Sequence, residues 1–188
     1  MQELAWASFS LLKNSNICGL VVVWRGRAVL CRGLVGAAVS SGGGGDAALH
    51  AISSAWPPAE AALARLGSSS SSSATAWEDS SRGIGGPGAW GAYWAERGDV
   101  RGAGAAAWPF VPEGAQGLLL QPLLPMATDG SCSGGKAEGA LLLLCDRPRA
   151  LSKQERAWAG AIAAKLQMAL SELGSAEPAA VPVAKRAL

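Results

Sequence analysis

The sequence is poor in charged residues, in histidine and in long apolar runs. Charged residues make up 16% of the 188 residues, the formal net charge is +2, and there is one histidine. A nearly neutral chain with scattered basic residues gives no electrostatic basis for binding nucleic acid. No apolar run approaches the roughly 18 residues that a membrane-spanning helix needs, and the opening MQELAWASF lacks the apolar core of a signal peptide. The sequence therefore predicts neither a nucleic-acid partner nor a membrane span within this chain.

The four cysteines do not have the spacing of a metal or redox site. No pair forms a CxxC motif, and none adjoins the single histidine, so we expect no zinc site and no thioredoxin-like motif. Cys18, Cys31 and Cys145 lie in or next to apolar strands, where a reduced cysteine packs as a small hydrophobe. The expected hairpin pairs Cys31 with Leu20 and leaves Cys18 only diagonal to it, which disfavours a disulfide. This pattern indicates a reducing compartment.

Hydrophobic periodicity predicts regular structure at both ends of the chain. Residues 3–13 have the spacing of a short helix. Residues 17–35 contain two β-branched apolar runs around a turn at Gly26, which is typical of a β-hairpin. The first of these runs is apolar on both faces and therefore predicts a strand inside a sheet. Further strands are expected at 117–124 and 138–146, and these two should pair with each other.

The middle of the chain has weaker patterns. Residues 46–66 suggest two short helices broken at Pro57-Pro58. Segments near 40–46 and 67–107 are rich in Gly, Ser and Ala, and we interpret them as low-complexity insertions. Within the second segment, AWGAYWAERG fits a strand or a helical turn equally well. Pro122 removes a hydrogen-bond donor from its predicted strand, which indicates a sheet edge or a bulge.

The last helix has the clearest start signal in the sequence. Ser152 and Glu155 have the S-x-x-E spacing of a capping box. Trp158, Ile162 and Leu166 then recur at helical spacing, so this stripe must be buried against another element.

Together these elements predict a single α+β domain over residues 1–174, followed by a disordered tail at 175–188. We expect an antiparallel sheet with the N- and C-terminal helices packed on one face. A strand, a charged turn and a capped helix at the end of the domain resemble GAF-type sensor domains. The residues expected to pack between the two helices are Trp6, Phe9, Trp158, Ile162 and Leu166.

Eight tryptophans are many for a chain of this length. Tryptophan is enriched at binding hot spots, but it also fills cores. Apolar neighbours at the right period favour the core for Trp24 and Trp158. For Trp90 and Trp94, which lie in a glycine-rich segment, the two interpretations are equally good.

Two blocks of the chain, Glu3–Gly33 and Trp108–Leu166, resemble one protein family. The matching pieces are LAW, LLKNSN, CRG, VPEGAQ, QPL and ERAW, and they occur in the expected order. They are similar to the family of plastids and cyanobacteria that is known as cofactor assembly of complex C. The specificity of the resemblance lies in the order of the pieces, because none of them is a catalytic fingerprint.

This resemblance implies a function and a location. Members of the family help to attach the covalent heme c-i to apocytochrome b6 of the cytochrome b6f complex, on the stromal side of the chloroplast thylakoid membrane. Two paralogues are expected to pair, with two N-terminal transmembrane helices holding them in the membrane. This chain starts at the soluble domain, so it is either a fragment or a soluble relative, and membrane association would run through segments absent from it. We therefore expect a non-enzymatic assembly factor that holds no cofactor stably and handles heme transiently.

Residues that could contact heme are few. His50 could be a ligand or a surface residue, and Cys132 lies in the loop DGSCSGG, where it would be exposed and reactive. Met126 and Met168 could be axial ligands, although core filling is their usual role. No catalytic or metal site is predicted, and a heme lyase would need a Cys-His or His pair that the sequence does not supply. The alternative function is a GAF-like domain that senses a small ligand.

Overall fold

The computed structural model describes residues 2–36, 45–68, 91–124 and 137–175. These ranges form a five-stranded antiparallel sheet with helices on both faces. The strands are β1 Gly19–Trp24, β2 Arg27–Gly33, β3 Ala92–Trp94, β4 Gly117–Leu123 and β5 Gly139–Cys145. The helices are α1 Gln2–Asn14, α2 Gly45–Ser54, α3 Pro57–Ser68, α4 Arg97–Gly102 and α5 Lys153–Ser175, with a 3₁₀ turn at Ala105–Ala107.

The sheet has the strand order β2-β1-β5-β4-β3, so that β5 is central and β2 and β3 are the edges. Alternate side chains of a strand point to opposite faces. Accordingly, Leu141 and Leu143 of β5 pack with α1 and α5, whereas Leu142 and Leu144 pack with α2, α3 and α4 on the other face. The predicted α+β fold, with both terminal helices on one face of an antiparallel sheet, is confirmed. Its likeness to GAF domains stays a prediction.

The β1–β2 hairpin differs from its expected register. Arg25 and Gly26 both have positive φ angles, 50° and 74°, as a two-residue type I′ turn requires. The register then shifts by one residue between Val22 and Val23, so that Cys31 lies opposite Val21. The predicted pairing of Cys31 with Leu20 is therefore wrong. A β-bulge, which places two residues of one strand opposite one of the other, is the physical reason.

The prediction of a low-complexity insertion over residues 67–107 is wrong for its last part, residues 91–107. Residues 91–107 belong to the core of the domain: β3 pairs with β4, and Trp94, Val100 and Ala105 are buried. The Trp94 ring packs edge-on against Trp108, with 6.3 Å between their centroids. Trp94 is therefore a core residue. Trp90 lies outside the described residues. The proposed insertion near 40–46 lies outside them too, apart from its last two residues. The proposed tail, beyond its first residue, does so as well.

Pro57 and Pro122 lie at positions where a missing backbone N–H is tolerated. Pro57 is the first residue of α3, a position where its missing N–H costs nothing. Pro122 of β4 pairs with Ala140 of β5 but lies beyond the part of β4 that pairs with β3. The predicted break at Pro57 and the edge-like position of Pro122 are both confirmed.

The capping box at the start of α5 is also confirmed. The Ser152 N–H donates to the Glu155 carboxylate over 2.8 Å, and the Glu155 N–H donates to the Ser152 hydroxyl over 3.2 Å. One residue earlier, the Leu151 N–H donates to the Tyr93 hydroxyl over 3.1 Å. The start of α5 is thus fixed both by its own cap and by the edge strand β3.

Candidate interaction surface

The two terminal helices lie side by side over the sheet, and each buries one stripe. The buried residues of α1 are Leu4, Ala7, Ser8 and Leu11. The Ser8 hydroxyl donates to the carbonyl oxygen of Ala5 over 2.9 Å, so its burial leaves the donor satisfied. On α5, Ile162 and Leu166 are buried as predicted, and Trp158 is half-buried against the same cluster.

Trp6 and Phe9 do not lie in this packed layer, so their predicted packing role is wrong. Trp6 is 47% exposed and Phe9 is 58% exposed. The two residues are three apart and share one side of α1, but that side faces away from the stripe that contains Leu4 and Leu11. On α5, Met168 is 52% exposed, and the core role expected for it is likewise wrong.

Two lysines border these exposed apolar side chains. The Lys165 ammonium lies 4.4 Å from the centroid of the Trp6 ring, and it also forms an ion pair with Glu3 over 3.1 Å. The Lys13 ammonium lies 5.4 Å from the centroid of the Phe9 ring. Such cation–π contacts on an exposed surface stabilise by roughly 0.5–1 kcal/mol. They hold the two rings in place without covering them.

We call this region the terminal-helix surface. It consists of the exposed aromatic and apolar side chains together with the two lysines: Trp6, Phe9, Lys13, Lys165 and Met168. Large apolar side chains grouped on neighbouring helices are typical of an interaction site, since scattered single residues are the norm on other surfaces.

The described cysteines have no features of reactive nucleophiles. Burial raises the pKa of the Cys18 and Cys31 thiols, and it raises the pKa of Cys145 to about 12. The Cys18 thiol donates to the carbonyl oxygen of Leu144 over 3.3 Å. A thiol with a raised pKa stays protonated near neutral pH and is therefore a poor nucleophile and a poor metal ligand.

The other candidate heme contacts are scattered or lie outside the described residues. His50 is exposed on α2, on the face of the sheet opposite the terminal helices. Cys132 and Met126 lie outside the described residues. Among the ranges that the structure describes, no three His, Cys, Asp or Glu side chains come together as a metal site would require. None of the helices described there has the length and apolarity of a membrane-spanning segment.

The fold and this surface define a class of protein: an α+β domain that presents the aromatic side chains of its N-terminal helix beside its C-terminal helix. The chain belongs to the CCB2/CCB4 family, described as cofactor assembly of complex C, whose model matches residues 1–166. The family resemblance of the two sequence blocks is thereby confirmed, and the match extends over the segment between them. The family name assigns its members to cofactor assembly of a complex. No curated protein and no solved structure gives a significant match.

Proposed function

We propose that the protein is a non-enzymatic scaffold that docks a paralogous member of its family through the terminal-helix surface. The observation that carries this proposal is the exposure of Trp6 and Phe9 on one side of α1. Tryptophan is the residue type most enriched at protein–protein hot spots. The lysine contacts keep both rings ordered before a partner arrives, which reduces the entropy lost on binding.

In this proposal the reaction served is the attachment of heme c-i to apocytochrome b6, on the stromal side of the chloroplast thylakoid membrane. The scaffold would hold apoprotein and heme close together and so raise their effective concentration. Heme would be handled transiently, without a stable complex. Support comes from the family membership, which concerns cofactor assembly of a complex.

The experiment is co-expression of the tagged chain with a paralogous family member, followed by measurement of the co-purified fraction. The test variant is the double substitution Trp6→Ala/Phe9→Ala. Because both side chains are about half exposed, the variant should fold normally, and its Tm provides that check. We expect at least a tenfold loss of co-purified paralogue, since hot-spot truncations cost about 2 kcal/mol or more.

The matched control is Leu34→Ala, because Leu34 is an exposed apolar residue, 62% accessible, that follows the hairpin strand β2. It should leave co-purification unchanged. Equal losses in the control and the test variant would point to general stickiness, and no loss in a folded Trp6→Ala/Phe9→Ala variant would refute the proposed surface. A second pull-down with apocytochrome b6 as bait tests whether the chain binds this apoprotein. Failure to retain the tagged chain would refute that part of the proposal.

A further inference from the structure

A concave site lies on the opposite side of the sheet from the terminal-helix surface. It is a cleft of about 200 Å³ between α4, the 3₁₀ turn and the loop that leads into β4. Its apolar floor is formed by Val100, Val111 and Ala115, all of them buried in the core cluster shared with α2 and α3. Arg97 and Arg101 of α4 line one side of it.

Hydrogen bonds hold the walls of this cleft. At the start of α4, the Glu96 N–H donates to the Asp99 carboxylate over 3.2 Å. In the opposite wall, the Ala115 N–H donates to the carbonyl oxygen of Pro112, and the Val111 N–H to that of Trp108, each over 2.9 Å. A ligand would thus meet a pre-formed site, as is usual for small-molecule pockets.

Three charged side chains line the cleft. Arg97 and Arg101 are four residues apart on α4, so their Cβ atoms are about 5–6 Å apart on one side of the helix. The third charged group in the lining is the carboxylate of Glu113, which is exposed. Within the described ranges, none of these three side chains forms an ion pair or a side-chain hydrogen bond. The lining therefore carries a net charge of one positive unit.

The wall that faces α4 is also one of the pieces on which the family resemblance depends. The piece VPEGAQ spans 111–116, and four of its residues line the cleft: Val111, Pro112, Glu113 and Ala115. The turn at Glu113-Gly114 does not require two arginines on the opposite wall. No sequence pattern was interpreted as a site at Arg97 and Arg101, although their spacing of four residues indicates two arginines on one side of a helix.

We propose that this cleft binds the carboxylate of a short, otherwise apolar arm, with Arg97 and Arg101 as the recognition residues. Guanidinium groups match the planar geometry of a carboxylate, and one carboxylate balances the single net positive charge of the lining. The apolar floor suits an alkyl chain. At about 200 Å³ the cleft is smaller than the roughly 300–1,000 Å³ of most small-molecule pockets, so it suits a short acid or the end of a longer molecule.

The same chemistry can come from a free short-chain acid or from the propionate arm of a porphyrin. The first source is independent of the proposed function, whereas the second rests on it. Co-purification with a paralogue does not involve Arg97 or Arg101, so failure of the cleft and failure of the scaffold role are distinguishable.

The experiment is an NMR titration of the full chain with sodium butyrate, with butyramide as the uncharged analogue. We expect butyrate to shift the amide resonances of α4 and residues 111–116, and butyramide to bind at least tenfold more weakly. Arg97→Gln and Arg101→Gln should each weaken butyrate binding about tenfold or more, because a hydrogen bond to a charged group is lost. Glu113→Gln should strengthen it. Arg147→Gln, which removes an exposed arginine after β5, is the matched control and should change nothing.

A parallel absorbance titration compares hemin with its dimethyl ester, which lacks the carboxylates. Tighter binding of hemin than of the ester, lost in Arg97→Gln and Arg101→Gln, would identify the porphyrin as the source. Arginine-dependent binding of butyrate alone would identify a free acid. If neither compound binds, or if both bind equally well to the wild type and to the two arginine variants, the proposal is overturned.

Discussion

The Lys165 ammonium on α5 lies 4.4 Å from the centroid of the Trp6 ring on α1. The same nitrogen lies 3.1 Å from a carboxylate oxygen of Glu3, so that one side chain links the two ends of the domain. All three groups are more than a third exposed, and exposed pairs contribute little to stability. The structural effect of this link is to fix the orientation of Trp6 on the surface.

The first prediction concerns this link. Lys165→Ala should lower the free energy of unfolding by about 0.5–1 kcal/mol, and a double-mutant cycle with Trp6→Ala should assign about 0.5 kcal/mol of it to the Trp6 contact. Urea unfolding is the measurement. Lys165→Met, which retains an unbranched aliphatic chain without the charge, is the control. If Lys165→Met is as stable as the wild type, the Lys165 side chain stabilises Trp6 by packing and not by a cation–π interaction.

The second prediction compares two tryptophans on the terminal helices. Trp158→Ala should lower the free energy of unfolding by about 2 kcal/mol, less than the 3–5 kcal/mol of a fully buried aromatic residue, because Trp158 is only half-buried. Trp6→Ala should cost under about 1 kcal/mol. Urea unfolding of both variants tests this order. Equal costs would contradict the assignment of Trp158 to the packed layer and Trp6 to the surface.

The third prediction follows from the capping box of α5. Hydrogen bonds from Ser152, first from its side chain and then from its backbone N–H, lower the pKa of Glu155 below its ordinary value of 4.5. The contribution of Glu155 to stability is therefore fully present above the ordinary pKa and is lost as the pH falls through the lowered value. Glu155→Gln should remove that part of the pH dependence. Ser152→Ala should cost about 1 kcal/mol near neutral pH. Identical pH profiles of stability for Glu155→Gln and the wild type would contradict it.

The fourth prediction uses two glycines with nearly equal backbone angles. Gly26 has φ 74° with open space around it, and Gly33 has φ 80° with the carbonyl oxygen of Cys18 where a Cβ would lie. Gly26→Ala should cost about 1–2 kcal/mol, because a residue with a side chain is strained in the left-handed conformation. Gly33→Ala adds a steric collision and should cost at least about 1 kcal/mol more. Thermal unfolding of both variants is the measurement. Equal losses of stability in Gly26→Ala and Gly33→Ala would contradict the predicted collision at Gly33.

The fifth prediction concerns thiol reactivity. Because burial raises the pKa of Cys145 to about 12, almost none of it is thiolate at about pH 8. Iodoacetamide should leave Cys145 unmodified in the native protein and modify it in guanidinium chloride, as read by mass spectrometry of peptides. Cys31, half-buried on the edge strand β2, is the internal comparison and should react faster. Equal native rates would contradict the burial of Cys145.

Sequence patterns predicted the parts of the fold that have strong local signals. The hairpin, the paired strands β4 and β5, the cap at Ser152 and the two terminal helices all combine clear periodicity with recognisable ends. Strand β3 was ambiguous because it has three residues in a glycine-rich context, and only its pairing with β4 makes it a strand. The bulge between Val22 and Val23 has no turn residue to mark it.

The candidate surface and the cleft were less accessible to sequence reasoning, for two different reasons. The prediction that Trp6 and Phe9 pack between the terminal helices rests on placing both helices on one face of the sheet, which does not by itself say which side of α1 is buried. The buried side of α1 is the one that carries Leu4 and Leu11. Which side of α1 is buried depends on how the helix is rotated about its axis when it packs on the sheet. The cleft brings α4 together with the loop before β4, and no local pattern reports such a tertiary contact.

The central position of β5 has a consequence for how the chain acquires its structure during synthesis. Val21 of the N-terminal hairpin pairs with Leu142 of β5, so the inner edge of β1 has no strand beside it until β5 has left the ribosome. An uncovered apolar strand edge is a template for aggregation. Nascent chains should therefore need a chaperone for most of their translation, and fragments that end before β5 should be insoluble.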